Sequence, residues 1–296
     1  MSAAAPSRIG VLAVIAAAAC FSLTPIWVRI SEVGPIATGV WRFLLAAPVL
    51  WLIVEARQRY SVDLGAPIRA GRFGLMIFGS VAFAANVAFW HLGINETVVA
   101  NAAILGNAHP IFVVIGAAIF YRERITRLFL TGLVLALIGT AWLTSARTGE
   151  FGAIARGDFY CFMSGFLFAF WVLALKQLRN EFSTATLVVW NLGLTAVFLL
   201  PLVFIRDEAF LPTTLSAWLV LIGFALTANL LGQSLFAFGT GRVSASFAAV
   251  GILCGPVLAT FFGWLILGEG VTLAQVVAGG LVLVGIGLAE RGRSRA

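Results

Sequence analysis

Charged residues are scarce in this 296-residue chain, where Asp, Glu, Lys and Arg together make up 10% and hydrophobic residues make up 61%. A soluble domain carries about 25% charged residues. A chain this apolar cannot cover itself with a polar shell, so its composition excludes an ordinary soluble protein and predicts a membrane protein.

Residues that build metal, redox and catalytic sites are also scarce. The three cysteines, Cys20, Cys161 and Cys254, each lie in an apolar run and have no metal-ligand spacing. The sequence has no Walker A motif and no Ser/His/Asp arrangement. These absences disfavour an enzyme, and we expect no catalytic residue, no metal and no cofactor. The net charge of +7 does not indicate a nucleic-acid partner, because the arginines are scattered between apolar runs.

Ten apolar runs are long enough to cross a hydrocarbon core of about 30 Å as helices. We read the first as a retained span and not as a cleaved signal peptide. The runs are 9–30, 35–56, 73–94, 98–121, 126–145, 157–178, 183–205, 214–239, 243–266 and 272–290. The chain is therefore predicted to be an all-α polytopic membrane protein with ten transmembrane helices.

The distribution of Lys and Arg predicts the orientation of these helices. With the N-terminus inside, 14 of these residues fall in inner segments and 4 in outer segments, while Arg42 lies within a span. Lys and Arg are enriched in cytoplasmic loops. We therefore expect a multi-pass protein of the bacterial inner membrane with both termini in the cytoplasm.

The segment 98–126 recurs 146 residues later as 244–272. Each copy carries a central proline, a terminal Glu-x-x-Thr and then a glycine, and the matching pairs are Pro110 and Pro256, Glu123 and Glu269, Thr126 and Thr272, Gly139 and Gly285. We read the chain as two repeats, 1–148 and 149–296. Five spans per repeat is an odd number, so the second copy must be inverted relative to the first. Inverted repeats are typical of secondary transporters; a static membrane protein with an old duplication is the alternative.

The paired motifs resemble the EamA repeat of the drug/metabolite transporter superfamily, and the likeness covers essentially the whole chain. Trp41-Arg42-Phe43 is similar to the Arg-Phe pair of that repeat, whereas the second half has Trp190 and Asn191 instead. Overall, the chain looks most like the YddG-type exporters of aromatic and other amino acids and of methyl viologen. The resemblance implies export of small metabolites across the inner membrane without an ATPase.

Amides and aromatic residues share one face of the third and eighth spans, which are equivalent in the two repeats. We expect this face to line a cavity between the halves, since an unpaired amide is costly in hydrocarbon. The alternatives are interhelical hydrogen bonds for the amides and a headgroup position for Trp90. The predicted substrate-binding residues here are Phe83, Asn86, Trp90, Asn229, Gln233 and Phe236.

Four further residues complete the predicted substrate site. Trp171 is deep in the sixth span and suits stacking on an apolar or cationic substrate. His109 near the middle of the fourth span is a candidate proton relay or carboxylate ligand, or a neutral hydrogen-bonded residue beside Pro110. Asn101 lies on the same path. Arg42 is a candidate carboxylate ligand, or a structural residue that snorkels or caps carbonyl groups.

Absent charges also bear on the cargo and on its coupling. No Asp or Glu lies in the middle of a span, and proton-coupled pumps commonly use one. No Lys/Arg cluster lies in the interior, as a phosphorylated cargo would need. The sequence therefore favours downhill export of neutral or zwitterionic molecules, unless His109 carries protons.

We predict a small-molecule exporter in the lipid bilayer for aromatic and other neutral amino acids. The alternatives are multidrug or quaternary-cation efflux and a non-transporting assembly protein; the oligomeric state stays open. Two structural predictions are separate from the cargo. Thr126 should cap the helix after the Glu123 turn. Gly251, Gly255, Gly279, Gly280, Gly285 and Gly287 should allow close helix packing within the chain, with contact between copies of the protein as the alternative.

Overall fold

The protein is all-helical over the residues that the computed structural model describes, which are 8–57, 63–96, 105–148, 156–267 and 270–292. No strand occurs within these ranges. The helices are α1 Arg8–Ser22, α2 Thr24–Arg29, α3 Pro35–Arg57, α4 Ala66–Arg69, α5 Phe73–Glu96, α6 His109–Phe120, α7 Arg127–Thr148, α8 Arg156–Leu178, α9 Thr184–Ile205, α10 Leu215–Phe224, a π-helical segment Ala225–Gln233, α11 Ser234–Thr240, α12 Ala245–Ile252, α13 Cys254–Leu267 and α14 Leu273–Arg291.

Eight helical stretches are long and apolar enough to cross a membrane. They are Arg8–Val28, Pro35–Ile53, Phe73–Gly93, Arg156–Leu178, Thr184–Ile205, Leu215–Thr240, Ala245–Leu265 and Leu273–Arg291. Shorter apolar helices, His109–Phe120 and Arg127–Leu143, lie at the predicted fourth and fifth spans. The start of that fourth span, with Asn101, lies outside the described residues, as does Glu269. The chain is a multi-pass membrane protein.

Three helical stretches are interrupted next to a proline. The turns fall at Leu23, at Asn107–Ala108 and at Leu253, shortly before Pro25, Pro110 and Pro256. Proline has no N–H to donate and disfavours a helical conformation in the residue before it. The stretch 215–240 is instead continuous but widens to π-helix over Ala225–Gln233, a distortion that is frequent at functional sites.

Helices from the first 148 residues pack against helices from the rest of the chain. The principal pairs are α5 with α8, α3 with α9, α7 with α14, and α1 with α11 and the π-helical segment. Large side chains between them are fully buried, including Phe43, Phe224, Phe236 and Phe247. Apolar side chains such as Ile119 and Val134 face outward, as expected of a lipid-facing surface.

Close packing between α7 and α14 depends on two facing glycines. A Cβ on Gly132 would lie 2.5 Å from the carbonyl oxygen of Gly285, and a Cβ on Gly285 would lie 2.7 Å from that of Gly132. The packing prediction is therefore confirmed for Gly285. Internal packing is not found at Gly280 and Gly287, where a Cβ would meet no described atom within 4 Å, because these residues lie on other faces of α14.

The predicted cap at Thr126 is confirmed. Its hydroxyl accepts a hydrogen bond from the backbone N–H of Phe129 at 3.1 Å and donates to the carbonyl oxygen of Gly292. The equivalent Thr272 forms a capping box with Gln275 at the start of α14. These caps supply partners to helix-terminal N–H groups.

Candidate functional site

Three aromatic rings from both parts of the chain form a stack in the centre of the protein. Phe83 of α5 stacks on Trp171 of α8 with ring centroids 4.4 Å apart. Trp171 stacks in turn on Phe236 of α11 at 5.4 Å. Phe168, one turn before Trp171, contacts all three rings. The structure therefore brings together three of the predicted site residues, and it adds Phe168, which the sequence reading did not select.

Asn191 of α9 holds the central indole by a hydrogen bond. Its Oδ1 accepts from Trp171 Nε1 at 3.0 Å and from Ser80 Oγ at 3.3 Å. Its Nδ2 donates to Oε1 of Gln233 at 3.4 Å, so the predicted residue Gln233 joins the same network. Asn191 was missed as a site residue. The available signal was the replacement of the Arg-Phe pair by Trp190 and Asn191 in the second repeat.

Little space remains beside this network. A void of about 10 Å³ borders Trp171, Asn191 and Ser80, which is room for about one water molecule. Trp171 is 3% exposed. The void is therefore too small to hold an amino acid in this conformation.

Asn86 connects two helices in this structure. Its Nδ2 donates to the carbonyl oxygen and to Oγ of Ser164 on α8, both at 2.8 Å. Both amide hydrogens are thereby used. The arrangement is an interhelical hydrogen bond between α5 and α8, close to the aromatic stack.

His109 and Trp90 both lie close to Gly106. The ring of His109 meets Phe168 edge-on at 4.7 Å, and its Nδ1 is 3.3 Å from the carbonyl oxygen of Gly106. His109 is thus in contact with the stack. A Cβ on Gly106 would lie 3.7 Å from the ring of Trp90. Among the described rings, Trp90 pairs with His91 at 5.3 Å and not with the stack.

Arg42 and Asn229 are buried, and some of their N–H groups have no hydrogen-bond partner among the described residues. The guanidinium of Arg42 lies 4.7 Å from the ring centroid of Phe43 and 4.6 Å from that of Phe224, while its Nε has no partner. Nδ2 of Asn229, in the π-helical segment, also has none. Phe43 in turn contacts Phe83 at 5.9 Å, which connects Arg42 to the aromatic stack.

One end of the bundle, hereafter the Glu123 end, is held together by charged side chains. The carboxylate of Glu123 accepts from the backbone N–H of Ala245 at 2.9 Å and from Oγ of Ser246 at 2.6 Å. Lys176 Nζ donates to the carbonyl oxygen of Val243 at 2.6 Å, and Arg179 Nε donates to that of Ala237 at 3.0 Å. Glu123 therefore binds the start of α12, Lys176 binds the turn before it, and Arg179 binds α11.

Tyr121 adds a further bond at the Glu123 end, where its hydroxyl donates to the carbonyl oxygen of Leu173 on α8. This bond ties the segment after α6 to α8.

Comparison with known proteins places the chain among transporters. The model of the EamA-like transporter family matches residues 8–145 and 155–290. A transporter of Archaeoglobus fulgidus, described as uncharacterised, is 29% identical over 229 residues, which is 77% of this chain and 79% of that protein. The pseudopaline exporter CntI of Pseudomonas aeruginosa is 25% identical over 275 residues, 93% of each chain.

One solved crystal structure shares the fold, with a TM-score of 0.83, 19% identity and coverage of 97% of this chain and 98% of its own. The matched family and the two relatives are transporters and not enzymes. Two matches to the same family model, one in each half, cover nearly the whole multi-pass chain. The protein therefore belongs to the EamA-like transporter family.

Proposed function

We propose that this transporter has two inverted five-helix repeats, 1–148 and 149–296, and ten spans. We further propose that it exports aromatic and other neutral amino acids, and related small metabolites, downhill across the bacterial inner membrane. Both termini lie in the cytoplasm. The cargo binds between the repeats and reaches each side in turn. The observation that carries this proposal is a set of contacts that occur in exchanged pairs across the two halves.

The clearest exchanged pair involves two tryptophans. Trp41 Nε1 of α3 donates to the carbonyl oxygen of Phe210, in the segment after α9, at 2.6 Å. Trp190 Nε1 of α9 donates to that of Leu64, in the segment after α3, at 3.1 Å. In a two-fold arrangement, a contact of one unit with its partner is repeated with the units exchanged. The reciprocal hydrogen bonds support two units related by a two-fold axis.

Whole helices follow the same rule. Exchanging the two repeats turns the packing of α5 on α8 into the packing of α1 on α11 and the π-helical segment. The helices α7 and α14 are equivalents in the two repeats and pack on each other. Gly132 and Gly285 approach each other from the two sides of that pair. Such inverted units support alternating access, because two similar halves can exchange conformations around one central site.

The Glu123 end is the cytoplasmic gate in this proposal, and it is closed. Glu123, Lys176 and Arg179 bind the start of α12, the turn before it and α11, respectively. Positive residues also concentrate on this side of the predicted topology. Opening toward the cytoplasm requires these bonds to break and the Phe83–Trp171–Phe236 stack to separate. The energy for this change comes from the cargo gradient and cargo binding.

The composition of the centre favours a neutral or zwitterionic cargo with an apolar part. Aromatic rings supply apolar walls, and the amides of Asn191 and Gln233 supply hydrogen bonds. The name of the relative CntI supports export as the direction. Quaternary-cation efflux is the second candidate, because the same rings suit cation–π binding. A non-transporting assembly protein is the third.

Efflux from proteoliposomes tests the proposal. Vesicles containing the purified protein are preloaded with labelled phenylalanine, threonine or methyl viologen. We expect saturable efflux of the amino acids without a pH gradient. The Trp171→Ala variant should lower kcat/KM for phenylalanine about threefold to tenfold through loss of stacking. Trp142, 44% exposed on α7, provides the control, and Trp142→Ala should transport normally.

Three results would contradict parts of this proposal. Absence of saturable efflux of any amino acid would exclude amino-acid export, and saturable efflux of methyl viologen alone would establish the second candidate. Normal phenylalanine transport by Trp171→Ala would place the binding site elsewhere.

A further inference from the structure

Arg42 is a buried cation that forms no ion pair with the acidic side chains that the structure describes. It lies in the second turn of α3 and is 8% exposed. No described acidic side chain forms an ion pair with it, and its Nε has no hydrogen-bond partner. Burial of an unpaired charge is unfavourable, so an anion that binds here would gain a strong interaction.

Acidic side chains at the same end of the molecule bind other groups. The carboxylate of Glu208 accepts from the backbone N–H groups of Ile36 and Ala37 at 2.8 and 3.0 Å. Glu32 accepts from the hydroxyl of Thr214 at 2.7 Å. Glu208 therefore caps the same helix that carries Arg42, and it forms no ion pair with the guanidinium.

Two further unpaired donors lie along the stretch that Arg42 contacts. Phe224, under the guanidinium, follows Gly223, and a Cβ on Gly223 would lie 2.5 Å from the ring of Trp27. Within the described part of the chain, the buried Nε1 of Trp27 has no hydrogen-bond partner, and neither has Nδ2 of Asn229, a residue that is 2% exposed. Buried polar groups are nearly always hydrogen-bonded. Three unsatisfied donors near one stretch of helix indicate a missing acceptor.

An apolar side chain lies next to the place where this acceptor would bind. Phe43 stands beside Arg42 and contacts Phe83, the first ring of the central stack. A ligand with an anionic group at Arg42 can therefore direct an apolar group toward Phe83 and Trp171. An α-amino acid with an aromatic side chain combines these two parts, and a carboxylate matches the planar, multiply donating guanidinium.

We propose that Arg42, assisted by Trp27 and Asn229, forms a carboxylate subsite that makes the transporter select carboxylate-bearing cargo over amines and amides of the same shape. This inference rests on the proposed export of amino acids. Arg42 then discriminates between the cargo classes, and the π-helical segment positions Asn229.

The test compares inhibitors of labelled phenylalanine transport in proteoliposomes. The inhibitors are 3-phenylpropionate, which has the carboxylate without the amine, and phenylalaninamide and phenethylamine, which have no carboxylate. We expect 3-phenylpropionate to compete at least about tenfold more strongly than the two amines, because hydrogen bonds between charged groups are stronger than those between neutral groups. Equal competition by all three compounds in the wild-type protein would overturn the subsite.

The Arg42→Gln variant tests the residue itself. It should reduce the preference for phenylalanine over phenylalaninamide to about one, since a neutral amide binds both forms similarly. Arg206→Gln is the matched control, because Arg206 is exposed at the same end, and it should keep the wild-type preference. Retention of that preference in a folded Arg42→Gln protein would assign Arg42 a structural role and overturn the proposal.

A binding measurement separates this inference from the proposed function. If the wild-type protein transports no amino acid, thermal shifts of the detergent-purified protein with 3-phenylpropionate and with phenethylamine still test the subsite. Stabilisation by the carboxylate alone would support the subsite while the transport proposal fails. Equal shifts, or none, would overturn the subsite. If Arg42→Gln does not fold, the comparison of 3-phenylpropionate with phenethylamine on the wild-type protein still tests the subsite.

Discussion

Neighbouring polar side chains on α9 differ sharply in their hydrogen bonding. Asn191 bonds Trp171, Ser80 and Gln233 at once. Thr195, one turn further along and fully buried, has no partner for its hydroxyl within the described part of the chain. Burial alone therefore does not identify a functional polar residue. The number of other groups to which a buried polar residue is hydrogen-bonded is the better indicator.

Replacement of Asn191 by alanine should disturb both stability and transport. The indole N–H of Trp171 would lose its acceptor, and Ser80 and Gln233 would each lose a partner. A buried group left unsatisfied costs about 1–3 kcal/mol. We expect a lower unfolding temperature of the purified protein and a higher KM for phenylalanine, because the central indole is no longer fixed.

Thr195→Val serves as the control for Asn191→Ala. It removes a hydroxyl that has no partner, so the unfolding temperature should stay the same or rise. If both variants lowered the unfolding temperature equally and left KM unchanged, Asn191 would be an ordinary core residue.

His109→Gln should leave transport independent of a pH gradient. His109 packs against Phe168, and its Nδ1 lies near the Gly106 carbonyl oxygen. No described Asp or Glu pairs with it as a proton relay would require. The measurement is phenylalanine efflux from wild-type and His109→Gln vesicles, with and without an imposed pH gradient. Gradient-driven efflux in the wild type that disappears in the variant would identify His109 as the proton carrier.

Much of the residue-level site follows from side-chain chemistry, but the pairing does not. Aromatic residues deep in apolar spans are readily selected, and Phe83, Trp171 and Phe236 do come together. Asn191 could be noticed only as a departure from the Arg-Phe pattern. Its three partners come from α5, α8 and the π-helical segment, and their meeting depends on the register of four packed helices. The sequence of a single span does not determine that register.

At the scale of helices, the α7–α14 contact is fixed by small residues. A Cβ on Gly132 would lie 2.4 Å from the backbone nitrogen of Ala289. That nitrogen belongs to the backbone and cannot move aside as a flexible side chain can. Membrane helices gain little from apolar burial against lipid, so close backbone approach contributes much of their association.

Gly132→Ala should therefore destabilise the protein by about 1–3 kcal/mol, as expected for overpacking. The control is Gly287→Ala on α14, where nothing lies within 4 Å; there alanine should be neutral or stabilise the helix by up to about 1 kcal/mol. Thermal unfolding in detergent measures both. Equal unfolding temperatures for Gly132→Ala and Gly287→Ala would contradict a tight α7–α14 contact.

Helix existence is easier to predict than helix neighbours. Eight predicted spans are confirmed, since a long apolar run has few alternatives to a membrane helix. The glycines of α14 did not show which face of this helix is packed, because Gly285 and Gly287 are about 200° apart around the helix axis. The π-helical segment also escaped prediction. Its sequence has no proline, and its widening depends on tertiary contacts.

At the scale of the whole molecule, the Glu123 end is where opening can be observed. Two backbone amides at the start of α12 donate to Glu123, Ala245 at 2.9 Å and Ser246 at 3.3 Å. A carboxylate at a helix N-terminus also interacts favourably with the helix dipole. Glu123→Gln should therefore make these amides exchange hydrogen about tenfold faster, as measured by exchange mass spectrometry of the segment 237–246. Glu181→Gln, which removes the exposed ion pair with Arg72, should not change their exchange.

Cargo should change the same amides in the wild-type protein. If the halves open alternately, phenylalanine present on both sides of the vesicle makes the transporter cycle and exposes Ala245 and Ser246 more often. A static assembly protein has no such cycle, so its exchange would not respond to phenylalanine. Faster exchange with phenylalanine, combined with little further response in Glu123→Gln, would identify the carboxylate as the bond that opening must break. Exchange that is unaffected by phenylalanine in a vesicle preparation with measurable efflux would mean that this end stays closed, and the gate would have to lie elsewhere.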